Sequence, residues 1–259
     1  VLIKELQSYK KQYAGPRKTL IDNLEEAVVE EKKIEEMDVV FLMDRFGYAK
    51  TVDVSVYERN KEAADTENRY ILTCKNTDKI CIFTNKGQMH LLKVLDLPYG
   101  KFRDKGIPID NLSNYNSSEE NFIYIINLGA IIHSRLLFGT KTAMRKMVDV
   151  SEFDVAKRTT ASTKLNEDYE LLIVHAMTGE ETVVMQSEKE MFLRIEASTI
   201  PEKKKGAVGV RGMKLNAGDA LSNIYVLDGE SEQTVEVKGK EVVLNRLRVG
   251  NRDTKGTKR

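Results

Sequence analysis

Residues 38–50 read DVVFLMDRFGYAK, and this stretch indicates how the chain folds. The apolar run Val39 to Met43 is followed by a short turn that begins with the charged pair Asp44-Arg45, and Gly47 precedes a second run. Two such runs around a glycine-containing turn are typical of a β-hairpin. Glycine suits the turn because primed hairpin turns require a positive φ. The stretch therefore predicts two antiparallel strands joined at Gly47.

The same strand, turn and strand pattern occurs five times. The residues at the corresponding turn position are Gly47, Gly87, Ala143, Glu190 and Gly239, which lie 40, 56, 47 and 49 residues apart. A repeat of about 48 residues has the size of one four-stranded propeller blade. Ala143 and Glu190 lack the conformational freedom of glycine, so we expect their hairpins to use another turn type.

Short apolar and β-branched runs continue through the rest of the chain. Further examples are Ile80 to Thr84, Phe122 to Ile126, Leu171 to Val174, Thr182 to Met185, Asn223 to Leu227 and Val242 to Leu244. A single blade cannot bury both faces of its sheet, so successive blades must pack on one another. We predict an all-β fold for residues 38–259, a propeller-like disc of about five four-stranded blades.

The N-terminal segment has a different pattern. Leu2, Leu6, Tyr9 and Tyr13 recur at helical spacing, and Gly15-Pro16 provides a stop. We predict a short helix that ends near Tyr13. Residues 24–37 are rich in Glu and fit either a helix or a charged pair of strands.

Composition limits the functional classes. The chain has 41 Lys and Arg against 40 Asp and Glu, and this balance gives no support for nucleic-acid binding. The charge is uneven, however, because residues 197–259 hold 13 basic and 8 acidic side chains. No apolar run reaches the length of a membrane span, and Cys74 and Cys81 are expected to be buried thiols. Phosphate-loop and zinc-protease motifs are absent from the sequence.

Four runs together resemble a known family. Residues 46–51 (FGYAKT), 83–87 (FTNKG), 105–112 (KGIPIDNL) and 209–215 (GVRGMKL) resemble the C-terminal domain of the A subunit of bacterial type IIA topoisomerases, the family of DNA gyrase and topoisomerase IV. The resemblance implies a β-pinwheel that binds and bends duplex DNA. It also implies that residues 1–22 are the end of a coiled-coil arm with a linking strand, that residues 23–37 are an acidic linker, and that residues 38–259 are the pinwheel.

The resemblance also sets expectations for activity and partners. The fragment alone would be no enzyme and would hold no cofactor, whereas its parent subunit would belong to an ATP-hydrolysing DNA topoisomerase. The expected partners are double-stranded DNA, the remainder of the A subunit and an ATPase B subunit, without a membrane. We expect a monomeric fragment in the cytoplasm, associated with the nucleoid.

One segment departs from the gyrase pattern. Gyrase A subunits have a glycine-rich basic box after the first blade, whereas residues 58–64 here read ERNKEAA. The resemblance therefore favours topoisomerase IV or a divergent gyrase that wraps DNA poorly. A partial echo of the box at residues 250–256 is expected either to close the disc or to contact DNA.

Basic residues recur in each repeat, as a DNA-binding rim requires. The predicted DNA-binding residues are Arg45, Lys50, Lys86, Lys101, Arg103, Lys105, Lys141, Arg145, Lys146, Arg158, Lys189, Arg194, Lys203, Lys204, Lys205, Arg211, Lys238, Lys240, Arg246 and Arg248. No catalytic or metal-binding residue is predicted. The alternative hypothesis is a propeller-type scaffold that binds proteins and not DNA, which the near-neutral overall charge also fits.

Overall fold

The N-terminal helix is present as predicted. The computed structural model describes residues 2–16, 19, 34–165 and 169–259, and the chain divides into two units, residues 1–35 and 36–259. Helix α1 spans Leu2–Tyr13 and buries none of its residues. Most of residues 24–37, whose sequence fits either a helix or a pair of strands, lie outside the described residues.

The second unit consists mainly of short strands. Two helices, α2 (Val54–Arg59) and α3 (Lys61–Glu67), follow its second strand. The strands are β1 Asp38–Asp44, β2 Tyr48–Asp53, β3 Asn68–Lys75, β4 Lys79–Thr84, β5 Gln88–Lys93, β6 Tyr99–Gly100, β7 Ile107–Pro108, β8 Phe122–Asn127, β9 Arg135–Thr140, β10 Met144–Asp149, β11 Thr159–Ala161, β12 Leu171–Met177, β13 Thr182–Ser187, β14 Met191–Glu196, β15 Val210–Arg211, β16 Leu221–Leu227, β17 Thr234–Val237, β18 Lys240–Val243 and β19 Thr257–Lys258.

The hairpin turns lie at the five predicted positions. Gly47 and Gly87 adopt positive φ, but so do Ala143 at 63° and Glu190 at 64°. The expectation of another turn type for these two hairpins is therefore wrong. A single left-handed residue ends each three-residue turn, and a non-glycine residue can adopt that conformation at a modest energetic cost. The fifth hairpin differs, because Lys238 and Gly239 both have positive φ in a two-residue turn.

Each of the first four hairpins forms the centre of a sheet. The strand orders are β3-β1-β2-β6 with β7 also on β2 (sheet 1), β11-β5-β4-β8 (sheet 2), β12-β9-β10-β15 (sheet 3) and β16-β13-β14-β19 (sheet 4). The fifth unit, hairpin 5, is a two-stranded pair of β17 and β18 in the described part of the chain. It is smaller than the four-stranded blade that the repeat length predicts.

Successive sheets interlock through their outer strands. The strand beside the second hairpin strand is contributed by the segment that follows the next hairpin, so β7, β11, β15 and β19 each belong to the preceding sheet. We call these segments the return segments, residues 98–108, 155–163, 201–212 and 248–258. The segment after hairpin 5 thus completes sheet 4 and adds no strand to hairpin 5.

The core consists of apolar layers between neighbouring sheets. Alternate residues of each hairpin face opposite sides, so Ile80 and Ile82 pack towards sheet 1 whereas Cys81 and Phe83 pack towards sheet 3. Similar layers join sheet 3 to sheet 4 and sheet 4 to hairpin 5. The other face of sheet 1 packs against α2 and α3. Among the described residues, no core cluster joins hairpin 5 to sheet 1.

Candidate nucleic-acid interface

All four return segments lie along the same edge of their sheets, the edge formed by the second hairpin strand. Basic side chains concentrate there. The strands at the opposite edge carry few, since β8, β12 and β16 contain no Lys or Arg and β3 contains only Arg69 and Lys75. The interlocked topology therefore places basic side chains at the same edge of each of the four sheets, the edge where the return segment pairs with the second hairpin strand.

The first return segment presents three cations. Lys101, Arg103 and Lys105 are exposed, and none forms an ion pair with a described residue. The Asp104 carboxylate accepts a hydrogen bond from the main-chain N–H of Lys101 at 2.7 Å and tightens the loop. Lys50 lies on β2, and its Nζ donates to the carbonyl oxygens of Phe102 and Asp104 in this loop.

The third return segment contains the densest cluster, Lys203 to Lys205. Lys203 and Lys204 are exposed, and Lys204 Nζ lies 3.3 Å from Glu152 Oε1. Glu152 Oε2 accepts from the main-chain N–H of Lys205 at 2.9 Å, while Lys205 Nζ donates to the Glu152 carbonyl. The loop is thus fixed to the turn that follows β10. Its side chains differ in exposure, since Lys203 and Lys204 are exposed whereas Lys205 is half-buried.

The second and fourth return segments are basic as well. In the second, Lys157 and Arg158 are exposed and the Arg158 carbonyl accepts from the N–H of Leu91 in β5 at 2.7 Å. In the fourth, Arg248 and Arg252 are exposed. Each sheet edge therefore holds at least two exposed cations.

The hairpin turns carry a second group of predicted residues, and most of them are compensated. Lys86 and Lys141 both pair with Glu170, at 3.8 and 2.6 Å, and Lys238 pairs with Glu190 at 2.6 Å. Also near the turns, Lys189 Nζ donates to the Ala217 carbonyl, Arg45 lies over the Phe46 ring, and Lys240 is exposed in β18. Two predicted residues elsewhere are paired as well: Arg211 in the third return segment with Asp253, and Arg246 after β18 with Glu232.

Two of the predicted DNA-binding residues are inside the fold, which corrects the sequence prediction. Arg145 is 0% and Lys146 1% exposed, so neither can reach a phosphate at the surface. Both lie on β10, a central strand whose two faces are covered by sheets 2 and 4. Lys50 and Arg194 are half-buried, and their head groups bind main-chain carbonyls.

Other cations of this edge were not among the predicted residues. Lys157, Arg252, Lys255 and Lys258 are exposed in return segments. Their common signal is position: each belongs to the segment that follows the next hairpin. That signal becomes useful only when the pairing of the return segments is known.

The cysteines and helices give no indication of another activity. Cys74 and Cys81 are buried and unpaired, and burial raises the pKa of their thiols to about 11 and about 12. Such thiols stay protonated and unreactive near neutral pH. No helix in residues 2–16, 34–165 or 169–259 is both long and apolar enough to span a bilayer.

Known proteins resemble this chain both in sequence and in fold. A family model described as "DNA gyrase C-terminal domain, beta-propeller" matches residues 181–228, which form most of sheet 4. The A subunit of DNA gyrase from Staphylococcus epidermidis is 29% identical over 98% of this chain. The chain spans only 30% of that relative's length.

Two solved structures have the same architecture. A C-terminal domain of DNA topoisomerase IV superposes with a TM-score of 0.76 at 22% identity, over 86% of this chain and 73% of that one. A DNA gyrase A C-terminal domain superposes with a TM-score of 0.56 at 17% identity, over 85% and 76%. These likenesses show the fold, and they confirm the predicted β-pinwheel.

The chain thus resembles, in sequence and in fold, the C-terminal domains from the A subunits of type IIA topoisomerases. The family resemblance drawn from residues 46–51, 83–87, 105–112 and 209–215 is confirmed. The matches include both gyrase and topoisomerase IV, as that resemblance did.

This chain has helices where the resemblance places the gyrase box. Residues 58–64 lie in α2 and α3, and Ala64 is buried against Val40, Leu42 and Val52 of sheet 1. The Asp53 carboxylate caps α2 by accepting from the N–H of Ser55 at 2.8 Å. The exposed surface of these helices is acidic on balance, with Glu58, Glu62, Asp65 and Glu67 against Arg59 and Lys61. An acidic helical cover therefore replaces a glycine-rich basic loop.

The partial echo at residues 250–256 lies in the fourth return segment. The N–H of Asp253 donates to the Gly212 carbonyl at 2.8 Å, and the N–H of Lys214 donates to the Thr254 carbonyl at 3.0 Å. These bonds tie the third and fourth return segments together. The echo thus contacts the end of the neighbouring return segment.

Proposed function

We propose that this chain binds duplex DNA along the return-segment edge and bends it across successive sheets. The observation that carries the proposal is the repeated placement of exposed cations on one edge of four consecutive sheets. The alternative, a protein-binding scaffold, has no comparable feature in support.

The chemistry of this edge suits the DNA backbone. Each phosphate that a Lys or Arg neutralises releases condensed counterions, and this gain requires no contact with the bases. Bending a site of 20 to 30 base pairs costs on the order of 1 to 6 kcal/mol, so several contacts must act together. Cations distributed over four sheets meet that requirement better than one local cluster would.

The resemblance to type IIA topoisomerase A subunits supports a wider role for the parent protein. In this proposal the chain presents duplex DNA to the cleavage region of a type IIA topoisomerase A subunit, which acts with an ATPase B subunit. The chain itself contributes binding without catalysis or a cofactor, as a monomer at the nucleoid in the cytoplasm. The acidic cover of α2 and α3 favours behaviour like that of topoisomerase IV, or of a gyrase that wraps DNA weakly.

Salt titration of DNA affinity tests the proposal. We expect the affinity for a duplex of about 30 base pairs, measured by fluorescence anisotropy, to fall steeply with salt and to depend little on sequence. The variant K101Q/R103Q/K105Q removes three unpaired cations. The slope of its log affinity against log salt concentration should therefore be smaller in magnitude by about 2 to 3.

A charge-matched variant provides the control. K86Q/K141Q/K238Q also removes three positive charges, but from side chains that already pair with Glu170 or Glu190. We expect its slope to stay close to that of the unmodified chain. Equal effects of the two variants would show that only net charge matters, and a slope near zero for the unmodified chain would exclude DNA binding.

A further inference from the structure

One register position on the second hairpin strand carries an unusual set of polar residues. Counted from the left-handed turn residue, the third position is Lys50 in sheet 1, His90 in sheet 2 and Lys146 in sheet 3. All three residues are at least half-buried, and each contacts the return segment of its own sheet. In sheet 4 the neighbouring residue Arg194 instead donates to the carbonyls of Asn245 and Leu247, which precede the return segment.

Lys146 makes the most extensive contacts of this kind. Its ammonium donates to the carbonyl oxygens of Lys205, of Ala207 at 2.8 Å and of Lys204 at 3.3 Å. The side chain also passes over the Phe138 ring at 5.3 Å. Three carbonyls of one loop therefore converge on a single buried cation.

Lys50 repeats the arrangement in sheet 1. Its ammonium donates to the carbonyls of Phe102 and Asp104 and lies 5.0 Å from the centre of the Phe102 ring. The loop concerned is again the basic part of a return segment, with Lys101, Arg103 and Lys105 on its outside. Two sheets thus use the same residue type, at the same register, on the same part of the fold.

This arrangement has a direct physical consequence for the loops. Carbonyl oxygens that converge without a cation repel one another, so the buried ammonium stabilises the conformation in which they point inward. Burial opposes the charged form and lowers the pKa of Lys146 to about 8, which still leaves it largely protonated at neutral pH. Because the ammonium fixes the main chain of the loop, the backbone that carries the loop cations already has a defined conformation before DNA binds.

We propose that Lys50 and Lys146 are positioning residues that do not touch DNA but hold the basic loops of the first and third return segments in their DNA-binding conformation. This inference rests on the proposed function. A preorganised loop loses less conformational entropy on binding, so the two lysines would raise affinity through residues more than 50 positions away in sequence.

A double-mutant cycle tests this role. K146M keeps a long side chain but removes the ammonium, and we expect it to weaken DNA binding by about tenfold, comparable to the cost of ordering one or two long side chains. In the background K203Q/K204Q/K205Q the same substitution should change affinity less than about twofold. Equal effects in both backgrounds, or no effect in either, would overturn the proposal.

Hydrogen exchange gives a readout that does not depend on DNA. The N–H of Lys205 donates to the Glu152 carboxylate and that of Ala207 to the Lys204 carbonyl, whereas the N–H of Lys203 donates to the Met147 carbonyl in β10. We expect K146M to accelerate exchange at Lys205 and Ala207 by about tenfold or more while Lys203 changes little. Unchanged exchange at all three would contradict the positioning role even if DNA binding is observed.

Two further variants distinguish loss of the positioning role from a general folding defect. K79M is the control, since Lys79 lies on a first hairpin strand and pairs with Asp154 outside the return segments. K50M, tested against K101Q/R103Q/K105Q, repeats the cycle at a half-buried site if K146M does not fold. Loss of loop protection in a chain that does not bind DNA would refute the proposed function, and with it the DNA-positioning role.

Discussion

Arg145 is the residue whose environment is least expected. Its side chain is completely buried, and its Nη1 donates to the Met144 carbonyl at 3.2 Å. Nε and Nη2 have no hydrogen-bond partner among the described residues. Burial lowers the pKa of the guanidinium, since no carboxylate compensates the charge. Gly139 and Gly212 leave room for it, because a β-carbon at either position would lie within 3.0 Å of the arginine.

Replacing this arginine should stabilise the fold. R145M removes a buried charge with two unsatisfied donors and keeps a flexible apolar chain of similar length. We expect the free energy of unfolding to rise by about 1 to 3 kcal/mol in urea titration. R135M, at an exposed arginine on β9, should change it by less than about 0.5 kcal/mol. A marked loss of stability in R145M would show that the guanidinium has a partner in solution.

At the scale of elements, the return segments depend on close contact with the second hairpin strand. Gly106, before β7, is packed against the main chain of Ala49 in β2. Gly209 and Gly256 take the same place beside Arg145 in β10 and Phe192 in β14. A glycine at this point lets the return segment approach near enough to form its ladder hydrogen bonds. The second return segment has no glycine between Arg158 and Ala161 and pairs through three residues of β11.

Substitution at these glycines should therefore be position-specific. A β-carbon on Gly106 would lie 2.8 Å from the Ala49 carbonyl oxygen, so we expect G106A to cost about 1 to 3 kcal/mol of unfolding free energy. A β-carbon on Gly206 would meet no atom within 4 Å, which makes G206A a matched control with an effect below about 1 kcal/mol. Thermal or urea unfolding measures both. Equal effects would argue against tight packing of the return segment.

At the scale of the pinwheel, charge is separated between units. The four return segments are basic, while α2 and α3 cover the outer face of sheet 1 with a surface that includes Glu58 and Glu62. DNA that follows the basic edge would meet repulsion where the gyrase pattern has a basic box. The near-neutral total of the whole chain is thus the sum of a basic edge and acidic surfaces elsewhere.

This separation predicts weak wrapping. When a nicked circular DNA is ligated with the full chain bound, we expect little or no positive writhe in the closed product. The charge reversal E58K/E62K should increase the trapped writhe, since it places cations at the position of the box. Strong positive writhe with the unmodified chain would show that other cations, such as those at residues 250–256, replace the box.

The local parts of this architecture could be predicted from the sequence. The helix Leu2–Tyr13, the strands around each turn and the five turn positions all agree with the predictions. These features depend on side chains within a few residues of one another, through alternation, helical spacing and turn chemistry. The repeat length and the four quoted runs then indicated the family. The recurrence of basic residues in the repeats also predicted exposed cations in all four return segments, among them Lys101, Arg158, Lys203 and Arg248.

Contacts between distant residues decided the rest. Lys146 looked like a surface cation, but sheets 2 and 4 cover both faces of its strand, and its ammonium binds a carbonyl 59 residues away. The interlocked outer strands, the two-stranded fifth hairpin and the helical cover of sheet 1 likewise depend on which segments meet in space. The sequence alone determined where strands and turns form because those signals are local. Only the tertiary structure decided which cations face solvent, because burial is a property of the packed sheets.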